Sequence, residues 1–132
     1  MMVIAESVAI GWLLDDERTT SSLQWLDQLR YQRALVPVLF WLEVGNALHV
    51  AVRRKRLAQP PLTVFDSLRR LPITIDTESP ANTAREAIGL AARYDITVYD
   101  SAYLELALRT RASLATHDAA LAAAARQAGI SP

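Results

Sequence analysis

The feature that most restricts the fold of this chain is an alternation of four short apolar runs with stretches of helical spacing. Met2-Val3-Ile4-Ala5, Ala34-Leu35-Val36-Pro37, Leu71-Pro72-Ile73-Thr74-Ile75 and Ser113-Leu114-Ala115-Thr116 read as strands. Between and after them, 8–14, 23–30, 42–52, 62–68, 84–94, 98–110 and 119–127 carry apolar residues at helical spacing. Strands separated by helices are joined by crossovers and not by hairpins, so they form a parallel sheet with both faces covered. The expectation is an α/β protein with a mainly parallel sheet of four or five short strands. At 132 residues, one domain over 1–132 is the economical reading.

Local signals refine this. Ser7 is placed to cap the first helix, and Pro60-Pro61 suits the first turn of the fourth. Arg53-Arg54-Lys55-Arg56 closes the third helix, where cations complement the dipole, and Gly129 closes the last.

Composition mostly excludes. There is no cysteine, so disulfides and thiolate metal sites are absent. No positive, apolar, small-residue signal pattern opens the chain, which points to the cytoplasm, and the apolar runs are too short to span a bilayer. Fourteen basic residues balance fourteen acidic ones, so any nucleic-acid binding has to be local.

In an open parallel sheet, ligands bind at the carboxyl ends of the strands. Three acids fall at or near such places. Glu43 lies in the first turns of the helix after Pro37, Asp100 lies at a helix start, and Asp118 follows the fourth strand run. Singly, each has a structural explanation: an exposed first-turn glutamate, a dipole-stabilising aspartate and a helix N-cap. Together they imply more, because like charges gathered at one end of a sheet are costly unless a cation neutralises them. A site made only of Asp and Glu suits Mg²⁺ or Mn²⁺, hard ions that take oxygen ligands and keep several waters.

The motifs around these acids resemble the PIN domains, and more closely the VapC-like toxin ribonucleases of VapBC toxin–antitoxin pairs. The resemblance spans nearly the whole chain. It is carried by Val3-Ile4-Ala5-Glu6-Ser7-Val8 with Trp12-Leu13-Leu14, Glu43-Val44-Gly45-Asn46-Ala47-Leu48, Thr97-Val98-Tyr99-Asp100-Ser101-Ala102-Tyr103-Leu104 and Leu114-Ala115-Thr116-His117-Asp118. It implies a three-layer α/β/α fold and a Mg²⁺- or Mn²⁺-dependent endoribonuclease. It implies Glu43, Asp100 and Asp118 as metal ligands, with Ser7, Asn46 and Thr116 as supporting polar groups. It also implies a cognate antitoxin, an RNA substrate and a homodimer.

The family's first aspartate is replaced here by Ala5. Glu6 does not simply take its place, because adjacent strand residues point to opposite faces; a backbone twist or the longer side chain would be needed. Loss of a ligand predicts a weakened or inactive enzyme. Either a degenerate relative or one targeted replacement explains Ala5, and the intact surroundings fit the second better. The alternative function is a non-catalytic module that binds an antitoxin or RNA.

Other features have two readings. Arg53, Arg54, Lys55 and Arg56 suit an RNA backbone as well as a solvated helix end. The resemblance implies that Trp12, Leu13, Leu48 and Val52 could form an antitoxin groove, although core packing explains most of them better. His117 is expected to point away from the site, His49 lies off the face of Glu43, and Asp15-Asp16-Glu17 reads as a solvated turn.

Overall fold

The computed structural model describes residues 1–131. Four three-residue strands form one sheet: β1 (Met2–Ile4), β2 (Ala34–Val36), β3 (Ile73–Ile75) and β4 (Ser113–Ala115), in the order β3-β2-β1-β4. Every pairing is parallel, with Val3 opposite both Leu35 and Leu114. Among the described residues, seven α-helices connect and cover them: α1 (Glu6–Leu13), α2 (Thr20–Gln28), α3 (Phe40–Arg53), α4 (Pro61–Arg69), α5 (Pro80–Tyr94), α6 (Val98–Thr110) and α7 (Ala119–Gln127).

The strand order explains the three layers. The crossovers β1→β2→β3 step in one direction and β3→β4 returns past β1, so right-handed connections place α1–α4 on one face and α5–α6 on the other. In agreement, α1 packs on α2, α3 and α4, whereas α6 packs on α5 and α7. β1 and β2 are buried along their whole length, which is why they read as continuous apolar runs. Val3, Ile4, Val8, Phe40, Val44, Leu104 and Leu106 join in one contiguous core. The edge strand β3 is only partly covered, with Ile75 exposed.

The helix boundaries follow local chemistry with one departure that matters. Pro61 opens α4 at the first turn, Thr19 and Ser22 form a capping box at α2, and Gly129 follows α7 with a positive φ. Asp15–Glu17 is a 3-10 turn and not an irregular break. The first helix begins earlier than its expected Ser7 cap: β1 stops at Ile4, Ala5 holds the extended N-cap conformation, and Glu6 is already helical. Ser7 is free to bond elsewhere because its backbone lies inside the helix.

Candidate functional site

Chain reversal in the strand order occurs between β1 and β4, the place where an open α/β sheet leaves a crevice beyond its carboxyl ends. The residues after those two strands meet there. The Ala5 amide donates to the Ala115 carbonyl at 2.9 Å, extending the pairing by one step. The His117 amide then donates to Ser7 Oγ at 3.0 Å, and the Asp118 amide to Thr116 Oγ1 at 3.0 Å. The two hydroxyls lie 3.5 Å apart across the crevice. Ser7 and Thr116 therefore set the course of the β4–α7 loop that presents Asp118.

The pocket so formed is lined by Ala5, Glu6, Ser7, Glu43, Asp100, Tyr103, Thr116, His117 and Asp118. Four carboxylates from four helix starts converge on it. Asp118 is the N-cap of α7, its Oδ1 accepting from the Leu121 amide at 2.7 Å. The capping explanation is thus correct for Asp118 and leaves its second oxygen for the pocket. Asp100 sits in the first turn of α6, where Thr97 Oγ1 accepts from its amide at 3.0 Å. Glu43, in the first turn of α3, accepts a 2.6 Å hydrogen bond from the hydroxyl of Tyr103, a residue buried to 1% exposure.

The electrostatics are those of crowded negative charge. Burial raises the Glu43 carboxyl above its usual range, Asp100 raises it further, and the Tyr103 hydroxyl opposes both. Asp100 is raised by burial and by Asp118, against the Thr97 hydroxyl. Glu6 is pushed to about 7 by burial first and then by Glu43, Asp100, Glu17 and Asp118. The Tyr103 phenol is pushed upward by burial and by its bond to Glu43, so it stays a donor.

A pH dependence follows. The folded pKa of Glu6 lies above its unfolded value of 4.5, so its neutral form favours folding, fully below that value and progressively less as pH rises through about 7. Because Glu6 is partly solvated, its contribution is on the order of 1 kcal/mol. Metal-free protein should melt lower at about pH 8 than at about pH 5 through this group, and Glu6→Gln should remove that component in paired thermal melts.

The donor set fits a hard divalent cation: every side-chain ligand in the pocket short of His117 is an oxygen, and the raised carboxyls mark negative charge that no neighbouring base offsets. Among the described residues, no three His, Cys, Asp or Glu side chains already meet as a ready metal cluster. Side-chain rotation or bridging water is required, and Mg²⁺ tolerates this because it keeps much of its hydration.

Not every expected site residue is here. Asn46 is exposed on α3 and does not line the pocket. Arg53, Arg54 and Lys55 are exposed at the far end of α3, about 15 Å along the helix from Glu43 at 1.5 Å per residue. Arg56 is engaged otherwise: its guanidinium bonds Asp16 at 3.0 Å and Glu17 at 2.7 Å. The Asp15–Glu17 segment is therefore an anchor for the end of α3 and not merely a solvated turn. His117 belongs to the pocket lining, while its ring lies 5.2 Å from that of Trp25 with Nε2 toward Gly11.

Of Trp12, Leu13, Leu48 and Val52, core packing accounts for Trp12 and Leu48, and the four do not make one apolar groove. Leu48 is in the core, Val52 is 42% exposed, and Trp12 is buried with its indole donating to the Ser22 carbonyl at 2.6 Å. An apolar depression lies instead between α5, α6 and the β2–α3 turn, lined by Val38, Ala84, Ala87, Val98 and Tyr99. Tyr103 is the site residue that the sequence did not single out beyond its place in a motif. Its one signal was its position three residues after Asp100 on the same helix face.

A parallel α/β domain whose strand-order reversal gathers carboxylates into one crevice defines a class of acidic-site proteins. Within it, the chain belongs to the PIN domain family, which its sequence matches over residues 2–127. No curated protein sequence matches it. Among solved structures, it is similar to a toxin–antitoxin complex from Klebsiella pneumoniae, with 15% identity, a TM-score of 0.61, and coverage of 89% of this chain and 87% of that one. It is also similar to FitAcB from Neisseria gonorrhoeae, with 18% identity, a TM-score of 0.59, and coverage of 99% and 95%. At these identities the likeness is one of fold.

Proposed function

We propose that the chain is a single-domain, Mg²⁺- or Mn²⁺-dependent endoribonuclease acting as the toxin of a toxin–antitoxin pair, with activity weakened by Ala5. The observation that carries this reading is the convergence of Glu43, Asp100 and Asp118 on one crevice of a PIN domain. When bound there, a divalent ion supplies an activated water and offsets charge on the scissile phosphate. Glu43, Asp100 and Asp118 hold it, Tyr103 fixes the rotamer of Glu43, and Ser7 and Thr116 hold the loop bearing Asp118.

The similarity to a toxin–antitoxin complex supports an antitoxin partner and, with it, a cytoplasmic location. Exposed Val38, Leu42, Val98 and Tyr99 supply apolar area for a second copy of the chain. Among the described residues no helix is long and apolar enough to cross a membrane. RNA contact by Arg53, Arg54 and Lys55 requires a substrate extending well beyond the crevice, and Arg56 contributes only by giving up Asp16 and Glu17.

The test is Ala5→Asp. Position 5 is an N-cap without a side-chain hydrogen bond, where Asp is among the best residues, but its charge joins a crowded pocket, so the variant should fold with a lower metal-free Tm that Mn²⁺ restores. Its added charge should raise RNA cleavage by at least about tenfold, only with divalent ion, and make expression toxic. Ala5→Asn should stay near the wild-type rate. If Ala5→Asp binds Mn²⁺ and cuts nothing across a broad RNA panel, a non-catalytic antitoxin- or RNA-binding module is the better reading; Ala5 itself is the observation that favours it.

A further inference from the structure

We infer that Glu6 supplies the fourth carboxylate of the pocket, shifted by one residue from the position that Ala5 leaves empty of charge, and that it takes part in holding the divalent ion. This rests on the nuclease reading above and assigns a residue to its site.

The strand argument against Glu6 does not hold in this fold. Alternation of faces applies only while the backbone is extended, and β1 ends at Ile4. Ala5 is the extended N-cap and Glu6 begins α1, so the chain changes from strand to helix geometry between the two residues. The turn brings Glu6 into the same crevice as Ala5, Glu43, Asp100 and Asp118.

Its surroundings leave it without another role. Four glutamates are not exposed: Glu6, Glu17, Glu43 and Glu105. Glu17 is held by Arg56, Glu43 by Tyr103 and Glu105 by Arg109. Of these four, Glu6 alone has neither an ion pair nor a side-chain hydrogen bond among the described residues. A partly desolvated carboxylate without a partner is costly unless a cation is its partner, and the crevice it faces is one whose other carboxylates lack a base. A glutamate is one methylene longer than an aspartate, which suits a ligand that starts one residue farther along the chain.

Calorimetric titration of the full chain with Mn²⁺ tests this without relying on turnover. Glu6→Gln keeps shape and helix start, and it should weaken binding by about 10–100-fold. Moving the carboxylate back in Ala5→Asp/Glu6→Ala should restore affinity to near the wild-type value, which a general loss of fold or field would not do. Glu17→Gln, which removes a nearby charge committed to Arg56, should leave binding unchanged. Unchanged affinity in Glu6→Gln, or an equal loss in Glu17→Gln, overturns the assignment. Asp100→Asn separates the two levels: if it abolishes binding while Glu6→Gln does not, Glu6 is misassigned and the site stands; if the wild type binds no Mn²⁺, both fail.

Discussion

Asp100→Asn is expected to abolish Mn²⁺ binding and RNA cleavage while leaving the metal-free protein as stable as the wild type or more so. Asp100 raises the carboxyls of both Glu43 and Glu6, so its charge is a burden on the empty pocket. Asparagine removes that repulsion and keeps the backbone hydrogen bond from its amide to Thr97 that starts α6. With the ion, the balance inverts. A ligand at about 100 times its Kd stabilises by about 2.7 kcal/mol, and that gain should be present in the wild type and gone in the variant. Loss of a ligand costs at least about 10–100-fold in affinity. Melting curves with and without Mn²⁺ therefore give opposite rankings of the two proteins. A metal-free variant markedly less stable than the wild type would mean that Asp100 is structural, and an undiminished Mn²⁺ shift would place the ion elsewhere.

Arg109→Ala should produce the largest loss of stability away from the pocket. Arg109 lies near the end of α6, where its guanidinium bonds Glu105 at 2.7 Å and also grips Asp76, just past the end of β3. The Glu105 side chain is only 7% exposed and that of Asp76 14%, so truncating the arginine strands two poorly hydrated carboxylates. Breaking a buried pair costs about 3–5 kcal/mol; with the arginine about one-third exposed, roughly 2–3 kcal/mol is expected. That corresponds to a fall in Tm of about 10 °C for a chain of this size. Arg109→Met/Glu105→Met, which removes one charge of each sign, should cost less than the single truncation, because no buried Glu105 charge is left unpaired. A single variant within about 0.5 kcal/mol of the wild type would show that water reaches Glu105 freely.

Because Asp76 follows the edge strand, this network ties the least buried part of the sheet to α6, the helix that carries Asp100 and Tyr103. The loss in Arg109→Ala is therefore expected to weaken Mn²⁺ binding only indirectly, through unfolding.

Much of this fold is readable from local pattern. The four apolar runs contain the four strands, and the alternation with helical spacing requires their parallel order. Pro61 at a first turn and Gly129 after α7 stand where their backbone preferences place them. The positions of Glu43, Asp100 and Asp118 near helix starts are local facts as well. Strand boundaries were less legible, and one residue decided the matter: Ala5 reads as the end of a strand, yet it caps a helix. An extended N-cap and an extended strand residue share the same dihedral region, so sequence pattern does not separate them.

The succession of elements is written in the chain itself, because apolar periodicity, caps and prolines act within a few residues of where they stand. Which polar side chains meet is settled by packing alone. Ser7 reaches Thr116 across 109 residues, Tyr103 reaches Glu43 across 60, and Arg56 reaches Asp16 across 40. None of these pairs leaves a local trace, since a hydroxyl or guanidinium is equally suited to solvent, to its own backbone or to a distant partner. The reversal of strand order between β1 and β4 joined the separate acids into one crevice, and the strand-to-helix change at Ala5 turned Glu6 into it. Both are consequences of how the packed sheet orients its strand ends, a property of the assembled layers that no single segment carries.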